Sequence, residues 1–150
     1  ALGASAIALP FGELYTSLQT GVVDGQENPL DTIQRMKFFE VQDYLVISEH
    51  GAMEDVVLFN PTWWASLPAD YQVIINDAFD EVVPALIEHK ASAVEDALDA
   101  ISASEINIRV ASPEERAAFR DVMYDRSVTA YIERAGDAGQ SLIDVYTANY

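Results

Sequence analysis

The sequence contains no cysteine, which removes disulfide bonds, thiolate chemistry and cysteine-ligated zinc or iron–sulfur centres from consideration. An oxidising compartment is compatible with this lack but is not required by it. Basic residues are scarce: eight lysines and arginines face 25 aspartates and glutamates, for a formal charge of −17. Nucleic-acid binding depends on cations that neutralise phosphates, so no nucleic-acid partner is expected, and the same deficit argues against direct binding to anionic lipid. The balance instead describes a well-solvated acidic surface. Long apolar runs are missing too. Ile7–Pro10, Val56–Phe59 and Tyr71–Ile75 all fall far short of the ~20 residues needed to cross a bilayer. No charged start with an apolar stretch and a small-residue cleavage site opens the chain. If the protein is exported, its signal peptide has already gone. Ala1–Ala6 also carry no start signal for a helix or strand, as though the sequence were entered partway through an element.

Enzyme signatures are equally thin. There is no glycine-rich phosphate loop, nucleophile elbow, paired-histidine metal motif or EF-hand loop. His89 lies between Glu88 and Lys90 in a helical pattern and reads as a solvated surface residue. His50, with Glu49, Glu54 and Asp55 nearby, has the residue types for a divalent metal, but no second histidine accompanies it. No cofactor, metal or catalytic residue is expected. One or both of Trp63 and Trp64 read as core packing rather than a stacking platform.

The 150 residues, half of them apolar, suffice for a compact helix-rich α/β chain with its own core. Ala6–Leu9 reads as a short buried strand closed by Pro10. A helix follows over about 12–20 and stops at Gly21. Asn28-Pro29 has the form of an N-cap and first-turn proline, opening a helix to about Met36. Tyr44–Ser48 and Val56–Phe59 are strand candidates, and Asn60-Pro61 starts a short helix. Apolar residues at helical spacing run from Ala69 to about Ser104, a length of ~50 Å at 1.5 Å per residue and more than one small domain needs. Pro84 should kink or interrupt this helix. Ile106–Val110 reads as a strand. Ser112-Pro113-Glu114-Glu115 is a capping box that opens a helix to about Arg134. Gly136 ends it, and a last helix covers roughly 138–148.

One stretch is unusual. Asp24, Gly25, Gln26, Glu27 and Asn28 follow one another between an apolar helix and a proline-started one. Loops at the ends of such elements are where α/β folds place ligands, and free backbone donors suit an anionic group. The same residues are equally explained as a turn, two solvated side chains and a cap. Composition and spacing leave the two readings level.

The string Pro10-Phe11-Gly12-Glu13-Leu14-Tyr15, followed by Leu18-Gln19-Thr20-Gly21-Val22-Val23-Asp24-Gly25-Gln26-Glu27-Asn28-Pro29, resembles the signature of DctP-type periplasmic solute-binding proteins. These serve the tripartite ATP-independent periplasmic (TRAP) transporters. The likeness continues through Lys37-Phe38-Phe39-Glu40-Val41-Gln42, Tyr44-Leu45 and His50, and more loosely through Leu67-Pro68 and Ser112-Pro113. Pro84 departs from the family's unbroken long helix. The resemblance implies a periplasmic-binding-protein-like (type II) two-lobe α/β fold, here partial, with a long lobe-spanning helix. In that frame residues 1–68 belong mainly to one lobe, 69–104 form the spanning helix, and 105–150 supply a strand and the last helices. The function implied is capture of a small organic acid in the periplasm for TRAP membrane subunits, without catalysis. Asn28 would hydrogen-bond the ligand carboxylate, Phe11 would pack against the ligand body, and Gln26, Glu27 and His50 would lie at the pocket. An asparagine amide can donate to a carboxylate while its backbone starts a helix.

The family's principal carboxylate-binding arginine lies upstream of the position matching Phe11, and the ten residues before Phe11 contain no arginine. The chain therefore reads as the C-terminal half of such a protein, one that binds ligand poorly alone. Two other readings compete: a ligand-independent interaction or sensor domain, and a metal-dependent hydrolase built on the His50 loop.

Overall fold

A computed structural model describes residues 3–51, 53 and 55–149. The chain divides into two compact units interleaved along the sequence: Ala1–Ala8, Val46–Gly51 and Arg109–Tyr150 in the first, Leu9–Leu45 and Ala52–Ile108 in the second. Two short strands, β1 (Tyr44–Ile47) and β2 (Asn107–Val110), pass from one unit into the other and pair as a two-stranded sheet. Asn107 N donates to Asp43 O and Ala111 N to Ile47 O, each at 2.9 Å. Both chains advance in the same sense between these bonds, so the pair is parallel.

The second unit opens with a 3₁₀ turn, Phe11–Glu13, that continues into α1 (Leu14–Gln19). Gly21 ends α1 in the left-handed region, at φ 73°. Val22 N donates to Ser17 O and Gly21 N to Leu18 O, the paired bonds of a Schellman stop, which satisfy carbonyls that the helix end would otherwise leave open. An irregular stretch then leads to α2 (Leu30–Arg35). The expected Asn28 cap is not made. The helix starts one residue later than expected, so Pro29, which has no side-chain acceptor, occupies the cap position, and the Asn28 amide donates to Gln26.

Lys37 turns the chain in the left-handed region and a 3₁₀ turn, Phe38–Val41, follows. Phe38 is 0 % exposed and anchors this turn. The two helices α3 (Pro61–Ser66) and α4 (Ala69–Ser102) complete the unit. Asn60 caps α3 as its sequence predicts, its side-chain oxygen accepting from Thr62 N and Trp63 N at 2.9 and 3.1 Å. The tryptophans, however, are not core residues. Trp63 is exposed and Trp64 half-buried, and both stack on Phe59 at ring distances of 5.5 and 5.0 Å.

α4 runs unbroken for 34 residues, with Pro84 inside it. Pro84 has no N–H, so the Asp80 carbonyl loses its helical donor. Every residue from 81 to 90 is exposed, so water can occupy that place and interruption is not forced. α2 packs along α4, and Ile33 of α2 is buried, as are Ala97 and Ile101 one turn apart on α4. Lys90 of α4 forms an ion pair with Asp31 of α2. The earlier apolar stripe of α4, including Tyr71, Ile74, Val82 and Leu86, is exposed.

The first unit is dominated by α5 (Pro113–Asn149). Its capping box forms as expected: Glu115 N donates to Ser112 Oγ at 3.2 Å, and Ser112 N donates to the Glu115 carboxylate at 2.9 Å. Gly136, at φ 60° and ψ −146°, breaks the helix where expected, in a conformation reserved for glycine. The expected strand over Ala6–Leu9 is not formed. The segment is irregular and Ile7 exposed, with no neighbouring strand among the described residues to pair with it. Val56–Phe59 likewise lies outside the sheet.

Two outcomes follow for stability. Phe38→Ala should cost about 3–5 kcal/mol, the range for emptying a fully buried aromatic site, read as a lower denaturant midpoint at unchanged slope. The Asp31 carboxyl is pushed up by its burial, but the Lys90 hydrogen bond and charge and the Thr32 backbone N–H outweigh this and hold it below its ordinary value. A depressed carboxylate stabilises the fold above its unfolded value and loses that contribution as pH falls through its folded one. The melting temperature should therefore drop on acidification below about pH 4, and Lys90→Met should flatten that drop. An identical acid limb in the variant would rule the pair out as its source.

Candidate functional site

The polar stretch Val22–Asn28 hangs between the Schellman stop of α1 and the start of α2. Its side chains alternate: Gln26 and Asn28 are half-buried while Gly25 and Glu27 are exposed. A hydrogen bond between their side chains brings residues 26 and 28 together. The Asn28 amide donates to Gln26 Oε1 at 2.6 Å, and Gln26 Nε2 donates to Gln42 Oε1 at 3.3 Å. The first is the only side-chain hydrogen bond of Asn28 among the described residues. Its second N–H and its Oδ1 are left to other partners.

Phe11 stands at the other end of the same neighbourhood. It is 50 % exposed, and its ring meets buried Phe38 edge-on at 5.9 Å and 78°. Tyr15 of α1 donates to Glu40 at 3.3 Å. The segment 38–42 thus receives Phe11 through Phe38, α1 through Glu40, and the polar loop through Gln42. The Asn28–Gln26 pair and Phe11 each contact this segment, the one through Gln42 and the other through Phe38, and neither lines the two cavities described next. Gln42 belongs to the family-like string over 37–42, but the sequence attached no role to it. Its significance appears only when the chain folds back over 16 residues to meet Gln26.

His50 lies in the other unit. It accepts from or donates to Ser48 Oγ at 2.6 Å through Nδ1, and its ring lies 6.5 Å from Phe119. With Arg116, Phe119, Arg120, Tyr124 and Tyr146 it lines a cavity of about 530 Å³ within that unit. Arg116 pairs with Glu49 and donates to Ala111 O, while Arg120 lies 4.5 Å over the Tyr124 ring. A second recess of about 450 Å³, in the helical unit, is lined by Asp31, Arg35, His89, Lys90 and Asp96. His89 is exposed, as its sequence context predicts. Among the described residues no group of three or more His, Cys, Asp or Glu side chains could hold a metal ion, and Glu54 of the possible metal loop lies outside them. No helix among the described residues is long and apolar enough to cross a membrane.

Residues 1–133 match the DctP family, described as bacterial extracellular solute-binding protein, family 7. The chain belongs to that family. It is 32 % identical to the ectoine-binding periplasmic protein TeaA of Halomonas elongata and 35 % identical to the C4-dicarboxylate-binding periplasmic protein DctP of Shewanella loihica, over 99 % of this chain and 44 % of each relative. A TRAP periplasmic solute binding protein from Desulfovibrio salexigens, solved with bound orotic acid, is 60 % identical over 97 % of this chain and 47 % of its own, with a TM-score of 0.89. The chain therefore spans about half the length of the relatives it matches. The type II two-lobe α/β fold expected from the sequence is the fold of these neighbours, and the chain accounts for a helix-rich part of it with the long helix included.

Replacing Phe11 by leucine keeps an apolar side chain but removes the edge-to-face contact with Phe38. Stability should fall by about 0.5–1.5 kcal/mol, the usual worth of such a pair. A Phe11/Phe38 double-mutant cycle checks it, and a coupling indistinguishable from zero would contradict the assigned contact.

Proposed function

We propose that the intact protein captures a small carboxylate-bearing solute outside the cytoplasm and delivers it to the membrane subunits of a TRAP transporter. The observation that carries this reading is the Asn28 amide. It is half-buried, oriented by Gln26, and retains an uncommitted N–H that can donate to a carboxylate. A hydrogen bond to a charged group contributes about 1.5–3 kcal/mol, enough to matter for a small ligand. Phe11 offers its exposed face to the ligand body. Gln26 supports Asn28 from behind, and Glu27 and His50 border the ligand in the same proposal. The lobe division expected from the sequence, with 69–104 spanning two lobes, belongs to this proposal as well. Membership of a family of solute-binding proteins supports the reading and gives no ground for catalysis. Several relatives carry periplasmic in their names.

Orotate is the first ligand to try, since the relative that is 60 % identical holds orotic acid. A C4-dicarboxylate and ectoine are the natural comparisons. A ligand that binds only the folded state stabilises it by about 2.7 kcal/mol at a hundredfold excess over Kd. One class of acid should therefore raise the melting temperature of the intact protein by several degrees. Asn28→Ala should weaken that acid about tenfold or more, because each 1.4 kcal/mol is a factor of ten. Unchanged affinity in the variant would remove Asn28 from the site, and no response to any acid would sink the transport reading.

A further inference from the structure

We propose that Gln42 is a positioning residue for the ligand-facing amide of Asn28, acting through Gln26. The inference rests on the reading of Asn28 as the donor to the ligand carboxylate. Three side-chain amides form a relay across the fold: Asn28 Nδ2 to Gln26 Oε1 at 2.6 Å, then Gln26 Nε2 to Gln42 Oε1 at 3.3 Å. All three residues are half-buried, and all belong to one compact unit.

The two ends of the relay are mounted very differently. Asn28 and Gln26 sit on an irregular stretch with no backbone ladder of its own. Gln42 sits on backbone that is tied down on both sides. Just before it, the 3₁₀ turn Phe38–Val41 is pinned by a phenylalanine with 0 % exposure. Just after it, Asp43 O accepts from both Asn107 N and Asn107 Nδ2, at 2.9 and 3.1 Å. Gln42 itself is extended, at φ −137° and ψ 143°, and carries its side chain from that fixed point. The relay therefore transmits the rigidity of the turn and sheet to a loop that lacks it.

Its polarity adds a second constraint. A glutamine amide has one oxygen and one NH₂ group. With Gln26 Nε2 donated to Gln42, Gln26 Oε1 faces Asn28, so Asn28 must turn an N–H toward it. What Asn28 then offers a ligand is one N–H beside its own carbonyl oxygen, in a fixed amide plane. A side chain ordered before binding loses less rotational freedom when the ligand arrives, and affinity rises accordingly. Gln42 reaches no ligand in this arrangement. Its effect on affinity passes wholly through Asn28.

The test is a double-mutant cycle on the intact protein with orotate as the probe, paired with Asn-selective ¹⁵N labelling of the ligand-free protein. Gln42→Met, similar in size and without hydrogen bonds, should raise the orotate Kd about three- to tenfold with little change in melting temperature. In the Asn28→Ala background the same change should alter Kd less than about twofold, since the residue it acts on has gone. In the ligand-free spectrum, Gln42→Met should move the Asn28 side-chain NH₂ resonances toward solvent-exposed values. Gln42→Glu, which still accepts from Gln26, should leave them near their wild-type positions. Equal losses of affinity in both backgrounds would show a general structural effect and overturn the proposal, as would Asn28 resonances indifferent to Gln42→Met, a result that counts even if orotate fails to bind. If Asn28→Ala binds orotate as the wild type does, the parent reading of Asn28 fails and this inference falls with it. If Asn28→Ala weakens binding and Gln42→Met does not, the inference alone is lost.

Discussion

The stretch that carries Asn28 cannot hold its own shape, and so the site depends on what its ends are fastened to. At one end the Schellman stop after α1 closes the backbone at Gly21. At the other, α2 lies along α4, with Ile33 buried on one helix and Ala97 and Ile101 on the other. A six-residue helix has little stability of its own, so α2 is helical because α4 is there to receive it. Removing that packing would leave the Asn28 amide on a free tether. The Asp31–Lys90 ion pair acts on the same junction, three residues beyond Asn28.

Local signals in the sequence translated directly into structure. The Asn60 cap, the capping box at Ser112, the Gly21 and Gly136 stops and the long helix all appear as expected. Each depends on contacts within a few residues, which spacing alone reveals. The errors occur where a distant partner decides. Ala6–Leu9 and Val56–Phe59 have strand-like composition, but strands need a neighbour to share their hydrogen bonds, and β1 and β2 pair with each other. Trp63 and Trp64 look like core residues until Phe59 is seen to take them both at one side of α3.

The site divides in the same way. The density of polar residues from Asp24 to Asn28 drew attention to that stretch, and family resemblance singled out Asn28 within it and Phe11 upstream of it. The cap expected of Asn28 did not form, because α2 begins one residue later than expected and puts Pro29, which has no side-chain acceptor, at the cap position; the Asn28 amide donates to Gln26 instead. Gln26 is in turn committed to Gln42, a residue that the family-like string included without a role. Long-range side-chain bonds of this kind leave no periodic trace in a sequence, which is why the relay became visible only in three dimensions.

Pro84 has one more consequence. Because Asp80 O receives no amide hydrogen from Pro84, the ladder of α4 lacks one rung at the proline. That gap lies in the exposed decade 81–90, where water is at hand to replace a broken helical bond. The C-terminal half, which holds the buried Ala97 and Ile101, should keep its amide protons long after those around the proline have exchanged. A helix built this way combines a slow, anchored half with a compliant joint, so that flexing near the proline need not disturb the half on which α2 rests.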